Sequence, residues 1–332
     1  MRDFSARLGV LALKRRLVEL AELKDFFVDD PPKVSFEFFP PKTPEADARL
    51  WHTIVRLEPL RPEFVGVTYG AGGSTREFTH NIVKRIANET SLVPAAHLTC
   101  AGSSKDEVNE IARRYWEAGV RHIVALRGDP PKGSKVYVPH PQGYAYCCDL
   151  VAGLRKLADF EISVAVFPEG HPESKSLDFD MEILKRKIDA GATRAITQYF
   201  FDVDDYFRLL DRAEKHHIEI PIVPGILPIT SANSLLNFSR TCGAKLPEWI
   251  VKLFDGLDDI PEIRSMLAMQ LAAGQLLLLR RAGVEAFHFF TMNRSELTWA
   301  LCRMLGIMTQ PVSDQQVTLQ SKERGLTTKD VE

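Results

Sequence analysis

The feature that most constrains the fold of this chain is a regular alternation of short apolar runs with longer amphipathic segments. The apolar runs lie at 34–39, 64–69, 93–98, 122–126, 162–167, 194–200, 220–226 and 286–291. Short runs rich in β-branched residues that alternate with helices indicate parallel βαβ units. Eight such units predict the α/β class and a single (β/α)8 TIM barrel.

The segments between these runs have the periodicity of helices. We predict helices at 44–58, 75–89, 104–118, 144–159, 178–190, 203–216, 231–242 and 294–306, and a helical insertion at 246–254 and 259–282 before strand 8. Gly119, Gly191 and Gly283 are expected to end helices, and Ser103-Ser104 to begin one. The chain divides into an N-terminal helical extension at 1–32, a barrel at 33–310 and a polar tail at 311–332.

Composition excludes several classes of protein. The 332 residues carry a net charge of −2 and no long basic block, so no nucleic-acid partner is expected. No apolar run reaches the ~20 residues of a membrane span, and the N-terminus lacks a signal-peptide pattern. Five cysteines without a CxxC pair favour reduced thiols and a cytoplasmic location, and no metal site is predicted.

Polar residues gather at one end of the predicted strands. In barrels of this kind the active site lies at the carboxyl ends of the strands. Glu37 stands out, because a carboxylate in an apolar strand is unfavourable unless it is solvated or paired. Desolvation and a nearby like charge would raise its pKa and make it a general acid. The alternative is a structural glutamate paired with a lysine or arginine.

Three further patterns allow two interpretations each. Arg127-Gly128-Asp129 either binds an anionic ligand or forms a loop salt bridge. The segment 70–75 imitates a dinucleotide-binding loop, although a tight βα loop is the simpler interpretation. Asp180, Ile183, Arg186 and Lys187 lie on adjoining faces of one helix and either contact a ribose and phosphate or face solvent. His97 and His171 lack metal-ligand spacing and are expected to form hydrogen bonds.

Several motifs resemble the methylenetetrahydrofolate reductase family, of the bacterial type that consists of the catalytic barrel. They are VSFEFFPPKT at 34–43, VGVTYGAGGSTRE at 65–77, HLTC at 97–100, GVRHIVALRGDPP at 119–131, HPESKS at 171–176, DAGATRAITQYFFD at 189–202, PGILP at 224–228 and FHFFTMNR at 287–294. The resemblance runs in order through residues 33–307. It implies a flavin-bearing barrel that reduces methylenetetrahydrofolate with NADH or NADPH through FAD, in a ping-pong sequence, and no regulatory domain.

The resemblance also implies roles for individual residues. Glu37 matches the general acid, and Asp129 a carboxylate near flavin and pterin that would help to hold the pKa of Glu37 high. The implied folate site comprises Glu37, Asp129, Gln198, Phe238 and Arg294. The implied FAD site comprises Thr68, Tyr69, Ala71, His97, Arg127, Gly128, Asp129, Cys147, Phe167, His171, Ser174, Asp180, Ile183, Arg186 and Lys187. Phe167, Ile183, Cys147 and Phe290 depart from a common bacterial pattern of tyrosine, asparagine, alanine and tyrosine.

Three other kinds of barrel protein are alternatives to this interpretation of the sequence. Another FAD barrel, similar to proline dehydrogenase, would oxidise a different substrate. A metal-dependent or aldolase-type barrel would lack flavin, and a non-catalytic barrel would lack both flavin and activity. The family resemblance further implies a homo-oligomer.

Overall fold

The computed structural model describes residues 30–41, 43–69, 76–130, 136–229 and 242–309, together with residues 231, 235, 236 and 239. Most of the predicted N-terminal extension and all of the tail at 311–332 lie outside these described residues. The boundaries that we drew at 32 and 310 therefore stay predictions.

The described residues form nine strands and nine α-helices. The strands are β1 (Lys33–Phe38), β2 (Phe64–Val67), β3 (Pro94–Thr99), β4 (His122–Leu126), β5 (Glu161–Val166), β6 (Arg194–Thr197), β7 (Ile222–Val223), β8 (Gly225–Ile226) and β9 (Ala286–Phe290). The helices are α1 (Pro44–Leu57), α2 (Arg76–Glu89), α3 (Lys105–Glu117), α4 (Cys147–Leu157), α5 (Leu177–Asp189), α6 (Val203–Lys215), α7 (Glu248–Phe254), α8 (Pro261–Arg281) and α9 (Glu296–Met304).

All strand pairs are parallel, and their order is β7-β6-β5-β4-β3-β2-β1-β9-β8. The two outer members of this order, β7 and β8, are consecutive in the chain and are separated by Pro224 alone. Proline has no N–H for a sheet ladder, so the predicted seventh strand at 220–226 is divided here. Its first half pairs with β6 and its second half with β9, which closes the barrel.

The helix boundaries follow the predicted signals closely. Ser104 begins α3 with a capping box, in which its hydroxyl accepts from the N–H of Glu107 and the Glu107 carboxylate accepts from the N–H of Ser104. Gly119, Gly191 and Gly283 end helices with positive φ angles of 84°, 118° and 87°. The helical insertion before the last strand is also confirmed, as α7 and α8.

The strands present an apolar outer face and a mixed inner face. Val34, Phe36 and Phe38 alternate along β1 and belong to the main core, which lies between the strands and the helices. The inner face carries a small apolar cluster of Phe64, Ala95, Val124 and Ile196. Above and beside this cluster, the inward positions are polar, and they include Ser35, Glu37, His97, His122, Ser163 and His288.

Charged residues at the amino ends of the strands form an ion-pair network. The guanidinium of Arg194 lies 3.2 Å from Glu63 and 3.1 Å from Glu161, and Lys33 lies 3.4 Å from Glu63. The Arg194 side chain is 15% exposed and lies 5.1 Å from the centre of the Phe64 ring. Because Phe64 belongs to the inner cluster, this ion-pair network closes the lower end of the barrel.

Candidate active site

The buried carboxylate of Glu37 lies in the upper part of the barrel. Strand β1 places it opposite Gly66 of β2 and Phe290 of β9, and the residue is 8% exposed. Its Oε2 lies 3.3 Å from Nε2 of His97 and 3.4 Å from Nε2 of His288. Two histidines therefore surround the acid, instead of the lysine or arginine of our alternative interpretation.

These histidines lower the pKa of Glu37, whereas we had predicted that it is raised. Desolvation is the largest single influence and raises this pKa, but the charges and hydrogen bonds of His97 and His288 together outweigh it and lower the pKa from 4.5 to about 2. The prediction of a raised pKa was wrong because it assumed a like charge beside Glu37. With this lowered pKa, Glu37 is ionised at neutral pH.

Gly66 allows His97 to reach Glu37 from a strand that is not adjacent. His97 belongs to β3, and β2 lies between β3 and β1. A Cβ atom at Gly66 would lie 3.2 Å from Nε2 of His97, closer than nearly all Cβ contacts. The missing side chain makes room for the imidazole to lie across β2. Nε2 of His97 is buried and has no well-aligned hydrogen-bond partner among the described residues.

His288, which sequence reasoning missed, is completely buried on β9. Its Nδ1 lies 2.8 Å from Oγ of Ser35, and Ser35 lies two residues before Glu37 on the same face of β1. A second pair of this kind lies deeper in the barrel, where Nε2 of His122 is 2.8 Å from Oγ of Ser163. Burial is the largest cause that lowers the pKa of His122, to about 3, so this second histidine is neutral.

Asn293 fastens the end of β1 to the chain that follows β9. Its side-chain Oδ1 accepts from the N–H of Phe39 at 2.8 Å, and its Nδ2 donates to the carbonyl of Phe39 at 2.8 Å. Thr291 adds a bond of 2.7 Å from its hydroxyl to the carbonyl of Glu37. Asn293 has a φ of 55°, in the left-handed region that asparagine tolerates better than most residues. These contacts fix the backbone that carries Glu37.

Arg127 is held in a salt bridge, as one of our two interpretations proposed. Its Nη1 lies 2.5 Å from Oε2 of Glu173, its Nη2 lies 3.2 Å from Oε1, and the guanidinium lies 4.4 Å from the centre of the Tyr137 ring. Gly128 follows with a φ of 88°, and a Cβ atom there would lie 2.9 Å from Cβ of Thr99. Oγ1 of Thr99 is buried without a hydrogen-bond partner among the described residues.

The predicted set on α5 lies partly in contact with the end of β5 and the segment that follows it. Oδ2 of Asp180 accepts from the N–H of His171 at 2.8 Å, and Nζ of Lys187 donates to the carbonyl of Ala165 at 2.8 Å. Ile183 is half-buried, whereas Arg186 is exposed. Two members of the set therefore support the strand ends, and Arg186 faces solvent.

The remaining predicted flavin residues lie around the same strand ends. The thiol of Cys147 is buried against the carbonyl of Ala125 at 3.2 Å, and burial raises its pKa to about 11, so it packs as a neutral thiol. Phe167 packs edge-on against His171, with ring centres 4.8 Å apart. Thr68 and Tyr69 follow β2, where Thr68 is half-buried and Tyr69 is buried. Ser174 lies after β5 and is half-buried, and Ala71 lies outside the described residues.

The predicted folate residues in the described ranges lie on or after four strands, β1, β4, β6 and β9. Gln198 follows β6, and its Oε1 accepts from the N–H of Tyr199 at 3.0 Å. Asp129 and Arg294 are exposed, and Phe238 lies outside the described residues. Burial raises the pKa of the Cys242 thiol to about 12, with further increases from the charges of Asp129 and Glu37. Both carboxylates therefore lie within electrostatic reach of one thiol at the upper end of the barrel.

Two kinds of feature are absent from the described residues. No group of three or more histidine, cysteine, aspartate or glutamate side chains in these ranges is arranged to hold a metal ion. None of the helices in the described part of the chain is long and apolar enough to cross a membrane.

The fold and the site define a (β/α)8-barrel enzyme with a buried acid and two histidines inside the upper end of the barrel. A family model described as Methylenetetrahydrofolate reductase matches residues 23–306. The chain belongs to this family, as the sequence motifs predicted.

Curated relatives agree with the family model. The 5,10-methylenetetrahydrofolate reductase of Pectobacterium carotovorum subsp. carotovorum is 50% identical over 275 residues, which cover 82% of this chain and 90% of the relative. The enzyme of the same name from Escherichia coli (strain K12) is 49% identical over 274 residues, with the same coverage.

A solved structure supports the fold alone. A protein from Clostridium thermocellum, described as binding two copies of 5-methyl-5,6,7,8-tetrahydrofolic acid, aligns with a TM-score of 0.56 and 14% identity. The alignment covers 86% of this chain and 96% of that protein.

Proposed function

We propose that this protein reduces 5,10-methylenetetrahydrofolate to 5-methyltetrahydrofolate, with NADH or NADPH as electron donor and FAD as the bound carrier. Membership of the family and the names of two relatives near 50% identity support the reaction. The observation that carries the proposal is the position of Glu37, a buried carboxylate on the inner face of the barrel with two histidines beside it. The homo-oligomer belongs to this proposal through the family resemblance only.

The chemistry of the strand ends of β3, β4 and β5 fits a flavin nucleotide. The backbone of Gly128 packs closely against Thr99, whose buried hydroxyl still lacks a partner among the described residues. Arg127 and Lys187 supply cationic donors for phosphate, and Asp180 supplies an acceptor for ribose hydroxyls. We assign these residues and the other predicted flavin residues to FAD. When bound, FAD supplies the hydride transfer between nicotinamide and folate.

Glu37 delivers the proton of the folate step. Its carboxyl protonates N10 of the folate, which opens the five-membered ring and leaves a cationic iminium. The negative charge of Asp129 favours that cation. Gln198, Phe238 and Arg294 complete the folate site in this proposal. The side-chain oxygen of Gln198 accepts from the N–H of Tyr199 and has a second lone pair for a donor on folate.

Because Glu37 is ionised at neutral pH, its role as an acid requires a step that loads it with a proton. The pKa of Glu37 is lowered by donors, His97 and His288, so it rises when these groups stop donating. Desolvation, the largest influence, then favours the protonated acid. A folate ligand that excludes water from the upper end of the barrel acts in the same direction.

Absorbance spectroscopy of the purified protein tests the whole proposal. We expect a flavin spectrum that bleaches on anaerobic addition of NADH or NADPH and returns on addition of methylenetetrahydrofolate. A protein without flavin would contradict the cofactor assignment and favour a metal-dependent or non-catalytic barrel. A reduced flavin that methylenetetrahydrofolate leaves unchanged, in a protein that oxidises proline, would instead support the other FAD barrel.

A further inference from the structure

The outward face of helix α8 is apolar for almost its whole length. Its side chains include Ile263, Met266 and Leu278, which are exposed, and Leu267 and Leu277, which are half-buried. In an α-helix all five lie within about 60° of one direction around the axis, so they form one stripe. A contiguous apolar stripe of this kind is a candidate contact surface.

Gly274 lies in the middle of this stripe. A Cβ atom added there would meet no described atom within 4 Å, so the space above the helix is open at this point. Glycine lowers the stability of a helix interior, but it lets another backbone approach closely. The outward face of α8 therefore has a shape onto which a second helix can pack.

A groove that contains acidic residues lies at the amino end of α8. It has a volume of about 240 Å³ and is lined in part by Ile250, Phe254, Asp255 and Asp259. Both aspartates are exposed, and Glu262 in the first turn of α8 is exposed as well. An occupant that reaches this groove is therefore expected to combine apolar with basic side chains.

The chain enters the described structure at the opposite end of α8. Nη2 of Arg280 donates to the carbonyl of Asp30 at 2.9 Å, so residues 1–29 begin their path at the carboxyl end of this helix. α8 has 21 residues and, at 1.5 Å per residue, is about 32 Å long. A helix made from residues 1–29 would be roughly 40 Å long, which is enough to run back along α8 and reach the groove.

The sequence of residues 1–29, which lie outside the described residues, has the pattern of a helix that packs against one other helix. An apolar residue recurs at alternating intervals of four and three residues, at Ala6, Val10, Leu13, Leu17 and Leu20. Residues 1–16 contain five basic residues and one acidic residue, Asp3. The segment thus combines the apolar stripe and the basic charge that the face and the groove require.

We propose that residues 1–29 form a helix that packs parallel to α8, covers its apolar outward face and brings Arg2 and Arg7 to the groove beside Asp255 and Asp259. The segment is attached at one end of this face, so its effective concentration there is far higher than that of a second copy of the chain. The inference concerns the outside of the barrel, and it does not depend on the proposed reaction.

Hydrogen exchange of the full-length protein, followed by mass spectrometry, tests this docking. The backbone amides of residues 4–23 should exchange at least roughly tenfold more slowly than those of a synthetic peptide of residues 1–29, because an isolated helix is marginal in water. The slow exchange should be independent of protein concentration, since the contact forms within one chain.

Two variants of α8 block the outward face without changing the core. Gly274→Glu places a charged side chain in the open space, and Met266→Glu changes a side chain that is 71% exposed and serves if Gly274→Glu fails to fold. Each should return residues 4–23 to the exchange rate of the peptide and leave the strands as protected as in wild type. Phe78→Glu, which changes an exposed apolar residue on α2, is the matched control and should leave exchange of the segment unchanged.

A double variant, Asp255→Lys with Asp259→Lys, tests where the basic end of the segment lies. Loss of the ion pairs with Arg2 and Arg7 should speed exchange of residues 2–10 by about 1.5- to 5-fold and leave residues 17–23 slow. Exchange of residues 2–10 at the wild-type rate in this variant would overturn the placement at the groove.

Three results would overturn the docking as a whole. The first is exchange of the segment in the full-length protein at the rate of the peptide. The second is slow exchange that persists in both Gly274→Glu and Met266→Glu, which would place the segment on another surface. The third is slow exchange that increases with protein concentration, which would show that a second copy of the chain provides the contact.

Discussion

His97 and Glu37 contact each other at 3.3 Å across an intervening strand, and a glycine lies between them. The contact depends on Gly66, because any side chain there would take up the space that the imidazole needs. β2 and β3 therefore help to position the acid, together with β1 and β9.

We predict that Gly66→Ala displaces His97 from Glu37. The added Cβ atom would lie 3.2 Å from Nε2 of His97 and 3.8 Å from the carbonyl of Phe36, so the ring must move. Overpacking of this kind lowers the free energy of unfolding by about 1–3 kcal/mol. Urea denaturation measures this loss, and the pH profile of the folate step should shift towards higher pH because Glu37 loses a group that lowers its pKa. An unchanged pH profile in a folded variant would contradict the role of this contact.

We predict that Asn293→Ala and Asn293→Gly both lower the stability of the folded protein. Alanine removes the amide and is strained at a φ of 55°, whereas glycine removes the amide and tolerates that angle. Both leave the N–H and carbonyl of Phe39 without these partners, at a cost of about 1–3 kcal/mol in stability. Thermal denaturation of the two variants separates the effects: the loss shared by both belongs to the amide, and the excess in Asn293→Ala belongs to the backbone angle. A glycine variant as stable as wild type would show that the amide contributes nothing.

Glu37 should also influence stability at acid pH. Its pKa in the folded protein is lowered to about 2 from an ordinary value of 4.5. A carboxyl with a lowered pKa contributes stability that is complete above the unfolded pKa and is lost as pH falls towards the folded one. We expect the difference in free energy of unfolding between wild type and Glu37→Gln to shrink by roughly 3 kcal/mol or less as pH falls from about 6 to about 3. Urea titrations across this range measure it, and a difference independent of pH would contradict the lowered pKa.

The salt bridge of Arg127 should oppose binding of the cofactor. If Arg127 binds a flavin phosphate, it must first release Glu173, whose side chain is 45% exposed. Exposed pairs contribute about 0.2–1 kcal/mol, so Glu173→Gln should strengthen FAD binding by about 1.5- to 5-fold. Fluorescence titration of the apoprotein with FAD measures this change, and Arg127→Gln should weaken binding. Weaker binding in Glu173→Gln would mean that the pair orients Arg127 for the cofactor.

The barrel could be predicted from sequence because its signals are local. Each strand is a short apolar run, and the ends of helices such as α3 carry capping residues that act within one turn. The division of the seventh strand at Pro224 has a local cause as well, since proline interrupts a ladder wherever it occurs. The ion-pair network at the amino ends of the strands has no such local signal. Lys33, Glu63 and Arg194 are far apart in the chain, and only closure of the barrel brings them together.

The candidate site was predicted in part. The alternation in β1 places Ser35 and Glu37 on one face of the strand. In β9 a histidine, His288, likewise alternates with phenylalanines, and this pattern could have predicted its inward position. The pKa of Glu37 could not be predicted, because its sign depends on His97 and His288, which reach it from β3 and β9. The salt bridge of Arg127 could not be predicted either, because its partner Glu173 is 46 residues away in the sequence. The roles of Ala71 and Phe238 stay predictions, since both lie outside the described residues.

The most direct test of the central claim is a pair of rapid-mixing measurements on Glu37→Gln. The first follows reduction of the bound flavin by NADH or NADPH, and the second follows reoxidation of the reduced flavin by methylenetetrahydrofolate. We predict a wild-type rate for the first and a loss of roughly 10²–10⁴-fold for the second, because only the folate step needs a proton from this carboxyl. Reoxidation by methylenetetrahydrofolate at the wild-type rate would contradict the assignment of Glu37 as the general acid.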